Sequence, residues 1–167
     1  MTYAITYSSS TGNTKALADA LENCLNKESC IYCGDLNTKA LDADVLFVGF
    51  WTDQGTCDNK TKEFLQKLEH KKVFLFGTAG FGKDSSYFDR IISRIKPLLS
   101  KTNELIGSYM CQGRMPLKVR ERYEKIKEQD PNTPNIDMLI ENFDEALPHP
   151  TRDDIVGLIK KVQSLPC

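Results

Sequence analysis

Short apolar runs alternate with amphipathic stretches along this chain, and that alternation restricts its fold more than any other feature. Tyr3 to Tyr7, Cys30 to Gly34, Asp44 to Phe50, Lys72 to Gly77 and Glu104 to Cys111 are each short and rich in β-branched, aromatic or leucine residues, the composition of strands. DVLFVGF and KVFLFG are apolar on both faces, as strands covered on both sides must be. Between the strands, Leu17, Ala20, Leu21, Cys24 and Leu25 recur at helical spacing, as do Phe88, Ile91, Ile92, Ile95 and Leu99. Phe64, Leu65 and Leu68 mark a shorter helix. Thr151-Arg-Asp-Asp154 reads as a capping box opening a last helix with Ile155, Leu158, Ile159 and Val162 on its buried face. Strand and helix repeating in this way make βαβ units, so an α/β fold with a parallel sheet is expected.

The stretch from Gln112 to Pro150 breaks the alternation. Pro116 to Gln129 and Asn135 to Leu147 read as two helices separated by Asp130-Pro-Asn-Thr-Pro134. The first carries five basic and three acidic residues. Asp130, Asp137, Glu141, Asp144 and Glu145 make the next part acidic, so a solvated, salt-bridged lobe is expected. Residues 1–167 are read as one domain, long enough to bury a single core.

Lys plus Arg is 22 and Asp plus Glu is 23, a balance that offers no field to recruit nucleic acid or an anionic membrane. No apolar stretch approaches the roughly 20 residues that span a bilayer, and MTYAITYSSS has no basic region followed by a long apolar run, so no leader is expected. A soluble, cytoplasmic protein with reduced cysteines is expected. Cys30-Ile-Tyr-Cys33 has no second cysteine pair and only His70 and His149 for company, so no zinc site is expected. In a regular strand these two thiols would point to opposite faces.

The first strand runs directly into Ser8-Ser-Ser-Thr-Gly-Asn-Thr14 and then into a helix. First-turn N–H groups lack intrahelical acceptors and the helix dipole adds positive potential, so such a loop can hold a phosphate without Lys or Arg. Gly12 permits close backbone approach, and the hydroxyls can donate the remaining bonds.

The run Ile5-Thr6-Tyr7-Ser8-Ser9-Ser10-Thr11-Gly12-Asn13-Thr14 and the helix to Leu21 resemble the flavodoxin signature, in which a Ser/Thr-x-Thr-Gly-x-Thr loop wraps the phosphate of flavin mononucleotide (FMN). Thr6 departs from it, polar where that family usually carries an apolar residue. The resemblance implies a three-layer, doubly wound fold with a five-stranded sheet ordered 2-1-3-4-5; the helical insertion at 112–150, before the last helix, lies outside that family's usual core. It implies FMN as cofactor, with Ser9, Ser10, Thr11, Gly12, Asn13 and Thr14 around its phosphate. It further implies that the loops Trp51 to Cys57 and Thr78 to Tyr87 enclose the isoalloxazine ring, bringing Trp51, Thr52, Gly55, Thr78, Ala79, Gly80, Phe81 and Gly82 beside it. Ligands of doubly wound sheets bind beyond the carboxyl ends of the strands, which agrees. Trp51 offers a flat face for stacking.

The rival motifs fail on particular residues. Gly77-Thr-Ala-Gly-Phe-Gly82-Lys83 matches seven positions of a phosphate loop of the Walker type, but Asp84 stands where a Ser or Thr should hold Mg²⁺. Gly80-Phe-Gly82 follows the fourth strand, not the first, as a dinucleotide fingerprint would. Electron transfer through FMN between a reductase and a partner oxidoreductase is the expected function, with no side chain serving as acid, base or nucleophile. The alternative is a flavodoxin-like FMN enzyme, such as a quinone or NAD(P)H reductase, or an accessory subunit of a reductase.

Overall fold

A computed structural model describes residues 1–82 and 84–166, so Lys83 of the rejected Walker motif and Cys167 lie outside the described residues. Its strands are β1 (Tyr3–Tyr7), β2 (Cys30–Asp35), β3 (Val45–Asp53), β4 (Thr56–Cys57), β5 (Lys72–Ala79) and β6 (Glu104–Gln112). Its α-helices are α1 (Asn13–Cys24), α2 (Asn59–Leu65), α3 (Ser85–Ile95), α4 (Leu117–Gln129), α5 (Ile136–Ala146) and α6 (Arg152–Gln163). The five long strands are parallel in the order β2-β1-β3-β5-β6, the order expected from the sequence. The short β4 pairs antiparallel with the end of β3.

Alternate residues of the central strands feed two cores, one on each face of the sheet. Leu46, Val48, Phe50, Val73 and Leu75 pack with Leu65 of α2 and Ile91 and Ile95 of α3. Ile5, Phe47, Phe74 and Phe76 pack with Leu17 and Leu21 of α1 and Leu158 and Val162 of α6. The layers are therefore helices, sheet, helices. Thr6 is fully buried but satisfied, because its hydroxyl donates to the Asp35 carbonyl of β2 at 3.0 Å. The capping box of α6 is present, with Thr151 and Asp154 bonding each other's backbone.

One expectation is corrected at the sheet edge. The register between β1 and β2 shifts so that Tyr3 faces Cys30 and Ala4 faces Tyr32. The bulge at Ile31 adds one residue, which turns Cys30 and Cys33 onto the same face, beside α1, and not onto opposite faces. Burial there pushes the Cys33 thiol up to about 12.

The piece between β6 and α6 is the salt-bridged lobe the charge pattern suggested. α4 and α5 pack against one another around Tyr123, Ile136, Phe143 and Ala146. Arg120 holds Asp144 with Nε at 2.8 Å and Nη2 at 3.0 Å, and Lys127 pairs with Asp137 at 2.7 Å. Among the described residues no helix is long and apolar enough to cross a membrane.

Candidate functional site

At the carboxyl end of β1, the Ser8 N–H donates to the Gly49 carbonyl at 3.0 Å, and Ser9 Oγ accepts from the Lys15 N–H at 3.3 Å. Gly12 sits at φ +86°, with nothing within 4 Å of where a Cβ would be, so the turn into α1 leaves open space above it. Asn13 is buried; its Nδ2 donates to the Arg114 carbonyl at 2.8 Å, while its Oδ1 has no partner. Thr14 is buried too, and its hydroxyl donates to the Phe50 carbonyl at 3.0 Å, 3.4 Å from Thr78 Oγ1.

The segment Trp51 to Cys57 is a hairpin where an open loop was expected. β3 continues to Asp53, Trp51 stands opposite Thr78 of β5, and Thr52 and Asp53 pair with Cys57 and Thr56. Gln54 and Gly55 make the tight turn with φ of 50° and 81°, the primed geometry that matches strand twist. A Gln-Gly pair between two apolar-polar runs was the available sign of it. Arg94 Nη1 of α3 donates to the Gly55 carbonyl at 3.1 Å, tying the turn down away from the sheet end. Thr52 Oγ1 is buried with no partner.

After β6 the chain crosses back over this region as a strap, Gly113 to Lys118. Gly113 N–H donates to the Ala79 carbonyl at 2.9 Å and Arg114 N–H to the His149 carbonyl at 3.1 Å. The Arg114 carbonyl accepts from Asn13 Nδ2 and, at 3.5 Å, from Thr11 Oγ1. Met115 covers Gly80, where an added Cβ would lie 2.7 Å from the Met115 Cγ. The Gly80 carbonyl accepts from both Gln112 Nε2 and Asn142 Nδ2 at 3.0 Å, so the lobe also holds this loop.

Together these segments enclose a hollow of about 260 Å³, just under the roughly 300–1,000 Å³ usual for small-molecule sites. Of the residues singled out in the sequence, Ser10, Thr11, Asn13, Trp51, Thr52, Thr78, Ala79 and Gly80 line it. Ser9, Gly12 and Thr14 stand behind it, shaping the loop. Gly55, Phe81 and Gly82 are not part of it. Gly113, Arg114, Met115, Pro116 and Lys118 also line it and were not foreseen; no local motif marks them. The lining holds two cationic residues and no carboxylate.

A wider cleft of about 610 Å³ has Gly82, Phe88, Tyr109, Met110, His149 and Asp154 among its lining residues. His149 Nδ1 is 2.6 Å from Asp154 Oδ2, which also accepts from the Thr151 N–H. Burial and the neighbouring Asp154 push the Cys111 thiol there well above its ordinary range, so it is neutral and a poor nucleophile.

Residues 4–163 match the model of a flavodoxin domain. The chain is 36% identical to the flavodoxin-like domain-containing protein BilS of Clostridium symbiosum over 94% of this chain and 92% of that protein. It is 33% identical to the protein of the same name from Clostridioides difficile, over 90% and 88%. The structure of oxidised Flavodoxin 2 from Bacillus cereus superposes with a TM-score of 0.53 at 16% identity, covering 96% of this chain and 94% of that one.

Proposed function

Because the chain belongs to the flavodoxin domain family, we propose that residues 1–167 act as one electron-transfer unit binding FMN noncovalently in the hollow between Ser8–Thr14, Trp51–Thr52 and Thr78–Gly80. The observation that carries this reading is the pair of buried, unpartnered oxygens, Asn13 Oδ1 and Thr52 Oγ1, on the one hollow where three strand ends converge. Buried polar atoms are rarely left unpaired. The ribityl hydroxyls and ring imide of FMN are donors of the kind those oxygens lack, so the residues present fit the group.

In this reading, Ser10, Thr11 and the first-turn N–H groups of α1 hold the phosphate, and Thr14 keeps the loop in place from below through the Phe50 carbonyl. Trp51, fixed in β3 opposite Thr78, presents its ring to the flavin. Met115 and Gly80 narrow the entrance and exclude water. Bound FMN takes and gives electrons one or two at a time, at potentials set by these contacts. A reductase and an acceptor oxidoreductase are the partners.

The wider cleft with its His149–Asp154 pair favours one second reading, an FMN enzyme such as a quinone or NAD(P)H reductase. Absorption spectra and mass analysis of the released chromophore test the first reading. A yellow protein releasing FMN is expected, its flavin emission quenched by Trp51 and brightened in Trp51→Ala with a loss of roughly 0.5 to 1.5 kcal/mol of binding. A colourless protein whose titration with FMN gives no binding would overturn it. Turnover of NADPH with a quinone at several per second or faster would favour the enzyme.

A further inference from the structure

We propose that Arg114 and Lys118, supplied by the strap, form a cationic clamp for the phosphate of the bound cofactor and make the site selective for FMN over riboflavin. This deepens the FMN reading and rests on it.

The argument begins from charge. The loop Ser8–Thr14 contributes hydroxyls and N–H groups but no cation, whereas the strap brings two to the same hollow, and no carboxylate faces them there. Arg114 and Lys118 are exposed, and neither has an ion-pair partner among the described residues. On the same lobe, Arg120 and Lys127 are consumed by Asp144 and Asp137.

Helix stability does not explain Lys118. It is the second residue of α4, where the helix dipole disfavours a cation. Nor is the strap free to carry its charges elsewhere, since the Arg114 carbonyl is bound by the side chains of Thr11 and Asn13 of the phosphate loop itself. Asn13, buried and with an unpartnered Oδ1 that can only accept, is the independent sign that a ligand enters the hollow, and it calls for a donor of that ligand, which leaves the phosphate itself to the hydroxyls, N–H groups and cations. A dianion beside Thr11 would share the hollow with both cations, and because they are exposed the attraction would be sensitive to salt.

Titration of the flavin-free protein with FMN and with riboflavin, read by quenching of flavin fluorescence, tests this for the parent and for the Arg114→Gln/Lys118→Gln double variant. Gln keeps the backbone bonds of the strap, and circular dichroism with a thermal melt checks that the fold is retained. The double variant is expected to bind FMN roughly five- to twentyfold more weakly, since exposed ion pairs are individually modest, while riboflavin affinity stays within about twofold. Added KCl should weaken FMN binding more in the parent than in the variant. If the parent binds FMN but the FMN-to-riboflavin ratio is the same in the variant, the clamp is wrong and the flavin site stands. If the parent binds neither flavin, the reading of the site falls, and the clamp with it.

Discussion

Two segments face each other across the hollow. Ser8–Thr14 leaves β1 and enters α1, while Gly113–Lys118 leaves β6 and enters α4. The first is held by its own turn and by β3: Ser9 caps Lys15, the Gly12 carbonyl accepts the first helical bond from Ala16, and Ser8 and Thr14 bond the Gly49 and Phe50 carbonyls. The second has its fixed points elsewhere, at Asn13, Ala79 and His149. One wall is therefore fixed within the sheet and α1, by β1 and β3, and the other depends also on the lobe, through the bond from Arg114 N–H to the His149 carbonyl. A site built this way keeps one rigid wall and one that can be loosened separately.

The largest expected effect comes from removing the lobe's buried anchor. Phe143 is 1% exposed, and Phe143→Ala should cost about 3–5 kcal/mol. Amide exchange should accelerate in α4, α5 and the strap while β1 and α1 stay protected. Equal acceleration in Ser8–Thr14 would break the distinction between the two walls.

Asn13→Ala cuts the tie between them. The Arg114 carbonyl would keep only Thr11 at 3.5 Å, and a loss of about 0.5–1.5 kcal/mol in urea unfolding follows from removing one part-buried hydrogen bond. Exchange at Arg114 to Lys118 should rise with no matching change at Asn142 or Gln112, which hold the Gly80 loop independently. An unchanged strap would mean that the Ala79 and His149 carbonyls fix it without Asn13.

The smallest effect is a pH dependence within the lobe. Hydrogen bonding to Arg120 holds the Asp144 carboxyl below its ordinary value of 3.8. A depressed folded value means the contribution is complete above the unfolded value and fades as pH falls through the folded one. Urea midpoints of the parent and of Asp144→Asn should thus differ near neutrality and converge in acid. Because Asp144 is exposed and Arg120 only half-buried, added salt should shrink the difference. Parallel curves down to about pH 2.5 would show that the pair contributes nothing.

What the sequence revealed follows the same division. The apolar runs of β3 and β5 and the helical stripes of α1 and α3 are periodic within one element, and burial simply selects the period that is there. The hydroxyl loop was legible because its chemistry is contiguous. Trp51 was visible as a residue but not as a strand member, since β3 extends past Phe50 only by pairing with β5 and with its own hairpin. The common face of Cys30 and Cys33 was hidden because a bulge depends on what the neighbouring strand offers. Nothing in Gly113-Arg-Met-Pro116 announces a site wall, because its role is set by bonds to residues about a hundred positions away. The pairing of Arg120 with Asp144 lay between: opposite charges on adjacent helices were plain, the partners were not.

The hydrogen bond from Asn13 to Arg114 joins residues 101 positions apart, and that interval is also a time. At about 5–20 residues per second of synthesis, the loop Ser8–Thr14 would wait roughly 5–20 s outside the ribosome before its opposite wall emerges. The lobe that pins the wall follows later still. A nascent chain halted before Gly113 would carry the familiar loop and α1 yet lack half of the enclosure. If the hollow takes FMN as proposed, its capture follows translation of the lobe, and a truncated product is expected to be colourless even with β1 and α1 in place.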